Sequence, residues 1–136
     1  MISTLGSIAI LVRDAKKSSE WYRDKLGFEI VEDRGHAVFV KPKDSNVLVH
    51  LCAKCDDWGN DTPGGRTGIW FRSGHLVMKK DERSGLIVPS SDPNEVESTY
   101  KELLKNGVEF TEELKMTTWG KMAIFKDLDG NEFEIS

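Results

Sequence analysis

Two matching helix signals, far apart in a chain of 136 residues, constrain this sequence more than any other feature. The first is Asp14, then AKKSSEWYRDKL, then Gly27; the second is Asp92, then PNEVESTYKELLKN, then Gly107. In each, an aspartate can accept from the first free N–H groups of a helix, and a glycine stands where the chain must leave in a left-handed conformation. The interval from Asp14 to Tyr22 equals that from Asp92 to Tyr100, and Leu, Gly and a β-forming residue follow each tyrosine. Ala15, Tyr22 and Leu26 share one face of the first helix. Val96, Tyr100, Leu103 and Leu104 form the stripe of the second, which adds Pro93 at its first position and Glu95 three residues past the cap.

Short apolar runs frame both helices. They predict strands at 7–12, 28–32, 36–41 and 47–52, at 68–73, and again at 108–111, 121–125 and 132–135, with turn residues at 33–35 and 42–46. The repeating unit is therefore β-α-β-β-β. One helix on one face of an open sheet leaves the other face bare, and two such modules side by side curl into a cup. The expected class is α+β: two paired βαβββ modules forming a cupped mixed sheet with helices on the outer face. Module one spans about 1–55, a Gly-, Pro- and Asp-containing connector 56–66, and module two about 67–136. Strand-like runs at 76–79 and 86–88 around a polar turn predict a hairpin inserted near 74–90; a competing reading makes LIVPSS the opening strand of module two.

A formal charge of −4 leaves no basic stripe for phosphates, so neither nucleic acid nor an anionic membrane is an expected partner. No apolar run reaches membrane-spanning length, and MISTLGSIAILVRD lacks a basic leader, which points to the cytoplasm. Cys52 and Cys55 are too few for a disulfide framework. With His50 they could hold zinc, but no second CxxC pair follows, and only His50 and Cys52 share a strand face. DLDGNEFE is unlike a calcium loop, since its glycine falls too early, and reads as a tight turn between the last two strands.

Four phrases in order, SIAILVRDAKKSSEWYRDKLGFEIV, TPGGRTGIWF, STYKELLKNGVEF and WGKMAIFKDLDGNEFEI, resemble the vicinal-oxygen-chelate superfamily of glyoxalases, bleomycin-resistance proteins and extradiol dioxygenases. The resemblance implies paired βαβββ modules and, in metal-dependent members, a divalent ion held by four side chains. The corresponding positions are Ser7, His50, Gly68 (or Gly85) and Glu134, of which only His50 and Glu134 are good ligands.

Strand alternation, applied without the family, places Ser7, His50, Cys52, Trp70, Arg72 and Glu134 on the faces away from the helices, with Phe39 and Trp119 as further candidates. That mixture of polar and aromatic residues suits a small organic ligand. His50 reads as metal ligand, general base or a plain strand histidine; Glu134 as ligand, acid/base or ion-pair partner of Arg72; Arg72 as carboxylate clamp or partner of Glu132 or Glu134; Trp70 and Trp119 as stacking surfaces or core. The expected function is small-molecule binding of the bleomycin-resistance type, without cofactor and as a homodimer. The alternative is a glyoxalase-like lyase or isomerase in which His50 and Glu134, with water or His75, hold a divalent metal and Glu134 moves a proton.

Overall fold

The computed structural model describes residues 1–53 and 58–136; Cys55, invoked above for zinc, lies outside them. The described residues divide into two compact units, Met1–Arg66 with Asp127–Asn131, and Thr67–Lys126 with Glu132–Ser136.

In the first unit β1 (Ser7–Val12) is followed by α1 (Ala15–Leu26), β2 (Glu29–Asp33), β3 (Ala37–Lys41) and β4 (Leu48–Ala53). The strands lie in the order β1-β4-β3-β2, with β1 parallel to β4 and the other pairs antiparallel. Both ends of α1 are built as the sequence expects. Asp14 Oδ1 accepts from Lys17 N at 3.0 Å, and Gly27, at φ 72°, lets its own N–H reach Arg23 O and that of Phe28 reach Tyr22 O. Val38, Val40, Val49, Leu51 and Val12 are sealed at 0–2% exposure and, with Tyr22, form the core beneath the helix.

The second unit repeats this order. β5 (Gly65–Phe71), α2 (Pro93–Lys105), β8 (Glu109–Thr117), β9 (Gly120–Lys126) and β10 (Asn131–Ile135) give a sheet β5-β10-β9-β8. Between β5 and α2, β6 (Leu76–Lys80) and β7 (Ile87–Ser91) pair antiparallel as a separate two-stranded sheet. LIVPSS thus belongs to this hairpin and β5 is the opening strand. The aromatic core is built on alternate positions: Phe71, Phe125 and Phe133 lie mutually 5.3–6.3 Å apart, and Phe110 links Phe125 to Tyr100 of α2. Glu97 ties α2 to β9, its carboxylate bonded by Lys121 at 2.8 Å and Lys101 at 2.9 Å; those two ammonium groups hold its pKa down to about 2.

Two local expectations are corrected. The run after α2 does not stop at Thr111, because β8 continues to Thr117 through two register shifts against β9. Its charged residues, Glu109, Glu112, Glu113 and Lys115, mask strand periodicity, while an edge strand carries charge at little cost. Glu95 does not reach back to close a capping box. Its carboxylate accepts from His75 N at 2.9 Å and meets His75 Nδ1 at 3.2 Å, fastening the base of the hairpin to the first turn of α2. Among the described residues, no helix is long and apolar enough to cross a membrane.

Candidate ligand-binding faces

In the first sheet the register sets directly adjacent residues in rows across the face opposite α1. One row is Phe39, His50 and Ala9; the next is Ala37, Cys52 and Leu11. In the first row the Phe39 and His50 rings are stacked, with centroids 4.4 Å apart and planes within 16°. The Arg34 guanidinium lies 5.3 Å from the Phe39 centroid and is itself gripped by Glu32 through two bonds of 3.0 and 3.1 Å. His50 Nε2 is buried without a hydrogen-bond partner. Loss of solvation, followed by the nearby charges of Arg34 and His36, pushes the His50 pKa down, which favours the neutral imidazole.

The second row is buried. Cys52 Sγ accepts from Trp58 Nε1 at 3.3 Å, so the Trp58 indole, on the connector, covers the thiol. Ser7, at the start of β1, is half-buried beside Leu48.

In the second sheet Ser136 N donates to Phe71 O, and Ser73 N donates to Ser136 O. This bracketing is that of a parallel pair and places Ser136 beside Arg72 and Glu134 beside Trp70. Arg72 Nη1 donates to Ser136 Oγ at 3.0 Å rather than to Glu132 or Glu134, the ion pairs anticipated for it. Trp70 is 53% exposed while Glu134, its neighbour and the partner of Ile124 on β9, is buried. Trp119 occupies the β8–β9 turn, exposed, where Thr117 pairs with Gly120. Within each unit, then, strand register sets Phe39, His50 and Cys52 in one, and Trp70, Arg72 and Glu134 in the other, on the face that the core phenylalanines and valines do not occupy.

The metal-binding positions of the resembling family do not suit a metal here. Gly68 has no ligating side chain, Ser7 offers a neutral hydroxyl, and the His50 ring is packed flat on Phe39 with its Nε2 shut away. His75, the additional ligand considered, is bonded to Glu95. Among the described residues no three His, Cys, Asp or Glu side chains gather as a metal group.

A polar cluster in the first unit escapes sequence reading. The turn after β9 is tight, as expected, but its side chains are buried and bonded. Asp127 Oδ1 accepts from Asp129 N and Asn131 N, while its Oδ2 accepts from Tyr22 Oη at 2.7 Å and Asn131 Nδ2 at 3.0 Å. Asp129 Oδ1 accepts from Arg13 N and Nη1, and Asn131 joins Leu11 O and Gly64 N. The one available signal was the density of Asp and Asn in DLDGN, which a solvated turn explains equally well.

A duplicated βαβββ fold whose sheets bear polar and aromatic residues away from their helices defines the class. The chain belongs to the Glyoxalase/Bleomycin resistance protein/Dioxygenase superfamily, whose family model matches residues 4–135. It is similar, at 29% identity and a TM-score of 0.71, to a crystal structure of a member of this superfamily from Sphaerobacter thermophilus DSM 20745, over 98% of this chain and 96% of that one. It shares the fold of TnmS3, an antibiotic binding protein from Streptomyces sp. CB03234, with 24% identity, a TM-score of 0.71 and coverage of 99% and 95%. The "Uncharacterized protein YetH" of Bacillus subtilis (strain 168) is 27% identical over 135 residues, 98% of this chain and 97% of that protein.

Proposed function

We propose that this chain binds a small organic molecule without chemically transforming it, and that each helix-free sheet face offers contacts for such a ligand. The observation that carries this reading is the half-exposed Phe39–His50 stack on the face away from α1, where neutral π surface stands ready for a flat or apolar ligand. The exposed indole of Trp70 supplies a comparable surface in the second unit. The superfamily includes bleomycin-resistance proteins, and the fold is shared with an antibiotic binding protein; both favour sequestration of an antibiotic-like molecule. The donor set Ser7, His50, Gly68 and Glu134 argues against the metal-dependent lyase or isomerase alternative. The protein works in the cytoplasm and pairs as a homodimer; the exposed Leu76, Met78, Leu86 and Ile87 of the inserted hairpin support a partner surface.

The test is tryptophan fluorescence of the untagged protein against a panel of aromatic, macrocyclic and peptide antibiotics, with metal analysis of the same preparation. Saturable quenching by at least one compound, weakened in Trp70→Phe and His50→Ala, is expected. Stoichiometric metal lost in His50→Ala, with no compound bound, would replace this reading by the metal-dependent one.

A further inference from the structure

The stacked row in the first sheet ends one residue short. Across the strands it runs Arg34 over Phe39, Phe39 against His50, and then Ala9 on β1. Phe39 covers one side of the imidazole, and the opposite side of the ring is the β1 side, where the neighbour in register is a methyl group too short to stack. Ala9 is exposed, although the next residue on the same face of β1, Leu11, is buried. β1 is also the last strand of its sheet. A column of three flat groups therefore ends at an exposed small residue.

Resting on the proposed binding of a small organic molecule, we infer that the space above Ala9 is a ring-stacking subsite, taking a flat aromatic or heteroaromatic ring against His50, and that Ala9 sets its size. The strand spacing of about 4.8 Å is close to the separation of offset-stacked rings, so a ring standing over β1 continues the stack with the spacing that β3 and β4 already impose. His50 suits this role better than a charged group would. Its Nε2 is buried and unpartnered and one side of the ring is packed flat on Phe39, so the other side is what the ring offers, as π surface. Arg34 cannot fill the gap, because Glu32 fixes it on the far side of Phe39. A branched side chain such as leucine at position 9 would occupy the subsite, whereas one further atom would not; a flexible or puckered ligand of the same formula would gain little from it.

The probes are 2-naphthoate and its saturated counterpart, decalin-2-carboxylate, which share a carboxylate and a two-ring skeleton and differ in flatness. With wild-type protein, 2-naphthoate is expected to move the Ala9 methyl resonance upfield by ring current and to bind at least about tenfold more tightly than the decalin acid. Ala9→Leu should remove that advantage, whereas Ala9→Ser, one atom larger and harmless on an exposed strand position, should keep it. Circular dichroism and thermal melting confirm that both variants fold. Equal binding of the two probes, or an advantage that survives Ala9→Leu with the shifts centred elsewhere, would overturn the subsite while leaving the wider binding function standing. No interaction of either probe with wild type, while antibiotics quench its fluorescence, would likewise dismiss the flat-ring subsite alone. If no compound of any kind binds, both fall together.

Discussion

At the scale of single residues, the buried cluster around Asp127 shows how one carboxylate can hold four donors, from Tyr22, Asp129 and twice from Asn131. Tyr22 is fully buried, and its pKa is raised well above the ordinary 10 by loss of solvation and then by the Asp127 charge beside it. The sign follows from which state keeps the proton. Below pH 10 the phenol is neutral both folded and unfolded, so its contribution to stability is complete; above pH 10 the unfolded chain ionises while the folded chain resists, and stability falls. Tyr22→Phe should cost about 1.5–3 kcal/mol at neutral pH, the range for a hydrogen bond to a charged group. It should also flatten the loss of stability above pH 10, as read by urea denaturation across pH. An unchanged alkaline slope would show that another group controls it. Sequence gave Tyr22 a place on the helix face but no hint of its hydroxyl's partner, which is 105 residues away.

At the scale of elements, caps and turns are where local sequence speaks most clearly. Gly27 and Gly74 both sit at positive φ, 72° and 65°, yet they answer different demands. Around Gly27 a Cβ would meet nothing within 4 Å, so Gly27→Ala pays only for the left-handed backbone, about 1 kcal/mol. A Cβ on Gly74 would collide with the Glu95 side chain that clasps His75. Gly74→Ala should therefore cost more than Gly27→Ala and expose the hairpin backbone to faster amide exchange at 76–91, measured by hydrogen exchange. Equal losses for the two variants would count against the Glu95 clasp. The same clasp explains why Glu95 does not reach back to its own N-cap: a carboxylate at that position can satisfy either its own helix or a neighbouring segment, and here the hairpin brings His75 N within 2.9 Å. The edge strand β8 was expected too short for a related reason, since charges on an exposed edge erase the period on which recognition depends.

At the scale of the whole molecule, the chain repeats one strand order twice, β1-β4-β3-β2 and β5-β10-β9-β8, with a hairpin set into the second copy. The hairpin exposes Leu76, Met78, Leu86 and Ile87, and the proposed homodimer predicts a sedimentation mass of two chains that Met78→Lys together with Ile87→Lys shifts toward one. A single-chain mass for the unaltered protein at micromolar concentration would dispose of that pairing. Sequence by itself determined the duplicated α+β plan, both helix starts and the alternation of side chains along each strand. All of these follow from interactions between near neighbours or from the fixed alternation of a strand. Only the tertiary structure decided that Phe39 and His50 stack, that Arg72 turns to Ser136, that Trp58 covers Cys52 and that Asp127 is a buried hub. Those outcomes depend on which distant segments meet, and a hydrogen-bonding or aromatic group in a sequence has many possible partners until the chain has chosen one.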